Sequence, residues 1–343
     1  MRKGIHPLKF EQNATKLTHA MHRVIVPIYI PNEEGYFQDA FRVLKLCIES
    51  ILLTTGTETR ISLINNHCIE KVDTYIRSKM LEDDRIDRYV LNSENRGKIE
   101  GVVSQARGSF EELISVVDAD MLFKAGWVDE VVKVFNAFPK AGCVSVVTVT
   151  WSKFTATSST FFDLLTSFRL KKGKIIIDEE IRENCHSFEQ NDPAFIQREL
   201  HKYQYYIRKN GATALVGCNH QAATYRREIF YHDLEVKTIY PFAVFYGDMP
   251  TYNSDRIFLD EPVDKMGMWR LSTHRSYAYH MGNTFQSSYE KKLTTLKNAD
   301  SESTDLKRIY ADRSLARLFP YRWRKYLPKV ISRMERMMNS KAN

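Results

Sequence analysis

Apolar positions along this chain switch repeatedly between short unbroken runs and helical stripes. Arg23–Ile30 is strand-like, and Pro27 and Pro31 bar a helix there. Tyr36–Leu53 carries Phe37, Phe41, Leu44, Ile48 and Ile51 on one helical stripe. Arg60–Ile64 predicts a second strand and Glu70–Leu81 a second helix. Asp87–Leu91 predicts a third strand, Lys98–Arg107 a helix opened by Gly97, and Leu113–Val117 a fourth strand. Strands alternating with helices predict an α/β fold with a mostly parallel central sheet, right-handed crossovers and helices on its faces. Ligands of such sheets sit beyond the carboxyl ends of the strands. Asn65, Asn95 and Asp118 fall just past strand ends, so they are expected to converge on one edge.

Beyond a helix at Trp127–Phe138 and a strand at Cys143–Thr150 the pattern weakens. Ser152–Glu189 is rich in Thr, Ser and Lys and reads as an insertion, an acceptor-side excursion or a mobile loop. Pro193–Asn210 predicts a helix with Asp192 as its cap and Gly211 as its stop. Mixed strands are expected through Phe245, then a helix Ile257–Met266 ended by Gly267 and a last short strand Tyr277–His280. The chain thus divides into a leader (1–21), a ligand-binding half (22–150), a second half (151–290) with an insertion at 152–210, and a basic helical C-terminal extension (291–343).

At 343 residues, 43% hydrophobic and 27% charged, the chain can build one large core with appendages and is not a disordered protein. No apolar run approaches the roughly 20 residues that cross a bilayer. Five scattered cysteines, Cys47, Cys68, Cys143, Cys185 and Cys218, form no C-x-x-C and point to reduced thiols and a cytoplasmic location. The net charge of +8 sits mostly in the tail, where Arg313, Arg317, Arg322, Arg324, Lys325, Lys329, Arg333, Arg336 and Lys341 face only Asp312 and Glu335. Within Ser314–Met338, Leu318, Phe319, Trp323, Tyr326, Val330 and Met334 alternate with those cations. Such a segment suits an anionic membrane surface at the inner face of a membrane, or equally a helix that packs its apolar face on the main domain. No nucleic-acid motif accompanies the charge, so nucleic acid is not an expected partner.

The strand Leu113–Val117 delivers Asp118-Ala119-Asp120 at its carboxyl tip. Two carboxylates there can present a divalent ion to a diphosphate; the bland alternative is a capping pair in a surface turn. Phosphate-loop, dinucleotide, zinc-protease and serine-elbow motifs are absent from the sequence. His19-Ala20-Met21-His22 and Cys218-Asn219-His220 are too isolated to argue for zinc.

Taken in order, several segments resemble the inverting, metal-dependent family 2 glycosyltransferases of GT-A fold. They are Val26-Pro27-Ile28-Tyr29-Ile30, Cys47-Ile48-Glu49-Ser50-Ile51-Leu52, Asn95-Arg96-Gly97-Lys98, Asp118-Ala119-Asp120, Ser254-Asp255 before Gly267, and His280-Met281-Gly282-Asn283. The resemblance covers about residues 22–283. It departs from the family at Ile30, at Asn65-Asn66-His67-Cys68 and at Ser254. It implies a GT-A type, Rossmann-like sheet and transfer of a sugar from a UDP- or GDP-linked donor to a glycan or lipid-linked acceptor hydroxyl. It further implies that Pro27, Tyr29, Asn65, Asn95, Lys98, Asp118 and Ala119 hold the nucleotide sugar. Asp120 and His280 would hold Mn²⁺ or Mg²⁺, and Asp255 would be the general base, with Asp248 as its competitor. Each residue also has a bland reading. His280 can be structural, Asp255 and Asp248 can be caps, Tyr29 can pack at a strand end, and Arg96 and Lys98 can solvate a helix start. A nucleotidyltransferase and a non-catalytic sugar-nucleotide binder are the rival functions; the first normally leads with a Gly-rich loop that Ile30–Gly35 does not supply.

Overall fold

The computed structural model describes residues 20–231, 255–297 and 311–340. Strands β1 (His22–Ile28), β2 (Thr59–Asn66), β3 (Ile86–Asn92) and β4 (Leu113–Val117) form a parallel block in the order β3-β2-β1-β4. The chain then adds β5 (Met121–Phe123), β6 (Ala141–Ser145), β7 (Lys171–Gly173), β8 (Gln204–Lys209), β9 (Ala212–Val216), β10 (Ala222–Arg226), β11 (Trp269–Thr273) and β12 (Ala278–His280). The large sheet continues from β4 as β10-β6-β11-β9-β8-β7, while β5 and β12 pair separately. Only β10, β9 and β7 oppose the direction of the rest. The fold is therefore the expected α/β architecture, a mostly parallel central sheet flanked by helices.

The apolar runs are unbroken because both faces of the sheet are covered. Val24, Val26 and Ile28 of β1 join the core beneath helices Ala40–Thr54 and Trp127–Ala137. Ile25, with Ile114 and Val116 of β4, joins the core on the opposite face beneath helix Lys98–Arg107. In the parallel block each predicted element is present, its ends shifted by a few residues at most. The exception is the helix predicted from Tyr36: Gly35–Phe37 is a 3₁₀ turn and the α-helix opens only at Ala40.

Later expectations need correction. Residues 152–189 are not a loose loop: they carry helices Ser158–Thr166 and Asp178–Ser187 and strand β7. Phe161, Leu164, Ile176 and Ile181 are buried there, and burying such a side chain is worth roughly 1.5–3 kcal/mol. The Ser-rich start of the first helix is polar because it is capped from a distance. Buried Asp264 accepts from Ser158 N at 3.0 Å, Ser158 Oγ at 2.7 Å and Ser159 N at 2.7 Å. The helix predicted over Pro193–Asn210 stops at His201, and Gln204–Lys209 is β8. Its cap is as expected, since Asp192 accepts from Ala194 N and Phe195 N. The strand expected through Thr150 ends at Ser145. Helix Ile257–Met266 is a π-helical turn, Arg256–Asp260, followed by a short α-helix, Glu261–Lys265.

The tail packs on the domain. Buried Arg324 reaches Asp264 at 3.1 Å, Lys153 meets Glu335 of helix Leu327–Ser340 at 3.1 Å, and Leu327 and Ile331 sit against the main core. Gly267 (φ 75°) lets this segment pass: a Cβ there would lie 2.8 Å from Arg317 Cβ. The other side of the tail leaves Leu318, Phe319, Trp323, Tyr326, Val330, Met334 and Met337 exposed. Among the described residues no helix is long and apolar enough to cross a membrane.

Candidate functional site

Three strand ends converge as predicted, and side-chain amides stitch the loops that follow them. At the end of β2, Asn66 donates to Asn95 Oδ1 at 2.6 Å and accepts from Asn92 at 3.1 Å and from Arg96 N at 2.8 Å. Asn95 Oδ1 also accepts from Gly97 N at 2.9 Å, and Gly97 (φ 75°) then opens helix Lys98–Arg107. Asn65 is fully buried, with Nδ2 on Tyr89 Oη at 2.8 Å and Oδ1 on Cys68 N at 2.7 Å. Both ends of Asn65 are thus committed inside the protein, and it shapes the 65–68 turn rather than offering a free amide. Pro27 pairs with Ile64 within β1–β2, and Tyr29, just past β1, is 41% exposed with its ring edge-on to Phe37.

Asp118-Ala119-Asp120 follows β4 directly. Asp118 N donates to Gln221 O at 2.8 Å, and Asp120 O accepts from Met281 N at 2.8 Å, so both ends of the tripeptide are pinned. The second pin comes from the β5–β12 pair, which the sequence reading lacked because β5 has only three residues; it sets His280 opposite Met121. Consequently His280 Nε2 lies 3.2 Å from Asp120 Oδ2. The ring stacks on Phe188 with centroids 4.6 Å apart, and Nδ1 contacts Ser187 O at 2.8 Å. A carbonyl can only accept, so Nδ1 carries a proton and Nε2 is turned to Asp120. Burial works against a charged ring, but the hydrogen bond and charge of Asp120 prevail and raise the His280 pKa to about 9. Gly282 (φ 66°) then turns the chain away, and Asn283 Nδ2 bonds Tyr36 O at 3.1 Å.

On the other side of the tripeptide, Lys98 Nζ bridges Asp118 Oδ1 at 2.5 Å and Asp255 Oδ1 at 3.2 Å. The anion that a lysine at a helix start calls for is, here, the chain's own pair of carboxylates. Burial alone would lower the Lys98 pKa, yet these two carboxylates hold it above its usual value. Burial raises the Asp118 pKa; Lys98 counteracts it, and the nearby Asp120 and Asp255 charges add to it. Arg96, by contrast, meets Glu100 at 3.1 Å and Glu94 at 3.5 Å in an exposed setting, the solvating role of its bland reading. Asp248 lies outside the described residues.

Asp255 opens the π-helical turn. Its other oxygen, Oδ2, lies 3.8 Å from His220 Nε2, and His220 Nδ1 lies 3.3 Å from Asp260 Oδ2. Asp260 is clamped by the fully buried Arg270, which also bonds Cys218 O at 2.8 Å. The sequence reading considered His220 only for zinc and did not single out Asp260 or Arg270. Asp255 and Asp260 are five residues apart, about 140° around an α-helix, so helical periodicity does not pair them; the wider π turn does.

The residues fit a divalent ion in two respects. Asp120 Oδ1 is buried without a hydrogen-bond partner, and the other ring nitrogen of His280 is tied to a backbone carbonyl, as in metal-ligating histidines. No cluster of three or more His, Cys, Asp or Glu suited to a metal occurs among the described residues.

A sequence model described as glycosyl transferase family 2 matches residues 24–234. No curated protein matches the chain. Among solved structures it is similar to the mannosyltransferase PcManGT from Pyrobaculum calidifontis in complex with GDP-Man and Mn²⁺ (15% identity, TM-score 0.40), covering 75% of this chain and 55% of that one. It is also similar to S. aureus TarS 1–349 in complex with UDP (13% identity, TM-score 0.29, 36% and 34% covered).

Proposed function

The chain belongs to glycosyl transferase family 2, and we propose that it transfers a sugar from a nucleoside-diphosphate sugar to an acceptor hydroxyl with inversion. One observation carries this reading: Asp118-Ala119-Asp120 is flanked by His280 on one side and by Lys98 and Asp255 on the other. Asp118, Ala119, Lys98, Asn95, Pro27 and Tyr29 form the donor site, with Asn65 shaping the 65–68 turn beneath it and Tyr29 offering an exposed ring to a uracil or guanine base. Asp120 and His280 hold Mn²⁺ or Mg²⁺, which when bound offsets the charge that builds on the leaving diphosphate. Lys98 supplies a second cation to that diphosphate, and in leaving Asp255 Oδ1 it frees the base. Asp255 then takes the acceptor proton. The acceptor oxygen bonds the anomeric carbon as the bond to the diphosphate breaks, the electron pair leaving with the phosphate oxygen.

The acceptor is a growing glycan or a lipid-linked sugar of surface polysaccharide or glycolipid assembly, handled at the cytoplasmic face of a membrane. The exposed aromatic and aliphatic side of the tail, set among Arg317, Arg322, Lys325, Lys329 and Arg333, supports contact with anionic lipid. Thermal-shift measurements with UDP-, GDP- and CDP-sugars should show stabilisation by a UDP- or GDP-sugar that grows with Mn²⁺, and Asp255→Asn should keep this shift while turnover collapses roughly 10²- to 10⁴-fold. No shift with any donor, metal present, would remove the donor site. Liposome co-sedimentation with phosphatidylserine vesicles should pellet the protein and lose most of that binding in Trp323→Ser/Tyr326→Ser; equal pelleting would remove the membrane contact.

A further inference from the structure

We propose that His220 is a positioning residue for the base, holding the Asp255 carboxylate by its Oδ2 so that Oδ1 is presented to the acceptor. The proposal rests on the reading of Asp255 as that base. His220 stands on the connection 217–221, which carries the chain from β9 past β11 and β6 to β10; it starts at Gly217 (φ 113°), where a Cβ would lie 2.8 Å from Lys153 Cα. Behind the imidazole, Asp260 is 2% exposed and Arg270 is fully buried, so neither can be supplied with water in place of its partner. A carboxylate accepts only, which makes His220 Nδ1 the donor to Asp260 and directs Nε2 at Asp255 Oδ2, 3.8 Å away. At that distance the link is one of charge rather than a hydrogen bond; catalytic contacts of this kind are commonly long before substrate binds.

The groups facing His220 are Asp255 and Asp260 from the π turn and Lys98 from the helix across the site, with Arg270 behind Asp260. Burial opposes a charged ring, but the Asp260 hydrogen bond and charge, with Asp255 added and Lys98 opposing, raise its pKa net. The imidazolium therefore persists to a higher pH than an exposed histidine would allow, and it holds the Asp255 carboxylate in orientation once Lys98 turns to the donor's phosphates. Asp260 and Arg270 are the rigid end of a chain whose free end is the base. A histidine placed only to fill space would need neither a carboxylate facing each ring nitrogen nor the buried arginine clamp behind one of them.

The experiment compares His220→Gln, His220→Ala and Asp255→Asn, using release of nucleoside diphosphate from whichever UDP- or GDP-sugar stabilises the protein most. The wild-type kcat should fall on the alkaline side as His220 loses its proton, and His220→Gln should lower kcat roughly 10- to 100-fold, leave the donor KM unchanged within about two-fold and flatten that fall. His220→Ala should lose more than the Gln variant. Histidine NMR gives a reading independent of turnover: Asp260→Asn should lower the His220 pKa. Wild-type kcat and pH profile in both His220 variants, beside a dead Asp255→Asn, would overturn the positioning role and leave the base in place. Turnover surviving in Asp255→Asn would instead remove the base itself. Losses in the His220 variants that track a fall in donor affinity or Tm, or a His220 pKa indifferent to Asp260→Asn, would also overturn the proposal.

Discussion

The two ends of the same parallel strands carry two clusters of charge that differ in one respect, whether the charges are used up. At the amino end, Arg23 of β1 is 1% exposed and meets Asp87 at 2.6 Å, Glu111 at 2.7 Å and Ser62 Oγ at 2.8 Å. Neighbouring His22 contacts Thr59 Oγ1 at 3.1 Å and Ser115 Oγ at 2.7 Å. At the carboxyl end, one lysine serves Asp118 and Asp255, Asp120 Oδ1 has no hydrogen-bond partner, and the Asp255 and Asp120 side chains are 14% and 31% exposed. Paired charge at the first edge closes the bottom of the fold. At the second edge the charged groups are partly exposed and Asp120 Oδ1 is left without a hydrogen-bond partner, an opening that a metal ion and a bound ligand can fill.

The comparison breaks most sharply at the two cations. Arg23→Met leaves Asp87 and Glu111 buried or half-buried without a partner. It should cost about 3–5 kcal/mol of stability in urea unfolding, while activity per folded molecule stays near wild type. A loss below about 1 kcal/mol would mean that the amino-edge cluster holds little together. Lys98→Met should do the reverse. Its side chain is 24% exposed and its partners face a solvent-accessible site, so stability should move by no more than about 1 kcal/mol. Turnover should fall roughly 10²-fold through lost contact with the leaving phosphates. If Lys98→Met unfolds the protein as badly as Arg23→Met does, the two edges are both structural and the contrast fails.

What the sequence discloses divides along the same line. The carboxyl-edge carboxylates are visible because they end apolar runs, as Asp118 ends Leu113–Val117, and Gly97 marks the start of the next helix. Period alone carries the parallel block, since β1, β2 and β4 are buried on both faces and only the edge strand β3 is partly exposed. It fails where polar residues are buried for reasons supplied elsewhere in the chain. Ser158 and Ser159 look like loop residues until Asp264, more than a hundred positions away, is seen to cap them. Residues Tyr205–Ile207 fit a helix or a strand equally, and pairing with β7 and β9 decides for the strand. His220, Asp260 and Arg270 come from three separate elements, and no local pattern joins them. In the sequence Arg23 is merely the first residue of a strand, because the partners that bury it, Asp87 and Glu111, lie near the starts of two other strands.

The smallest effect tests the closed end by pH. Burial, and then the Arg23 charge beside it, push the His22 pKa down to about 3, so the folded protein keeps this imidazole neutral. In the unfolded chain it takes a proton near pH 6.5. Between those values the unfolded state binds more protons, so stability rises with pH across the window and is lost as pH falls through it. The expected loss is about 1 kcal/mol between pH 6.5 and 5.5, approaching about 1.4 kcal/mol per pH unit further down the window. Groups whose pKa is raised, such as His280 and His220, change protonation on unfolding mainly above that window, and they do so alike in wild type and variant. His22→Asn, which has no proton to gain, should therefore flatten the difference between urea midpoints at pH 6.5 and 5.5 relative to wild type. An unchanged difference would mean that His22 is protonated in the fold, and that Thr59 and Ser115 accept from it at an edge where positive charge is tolerated.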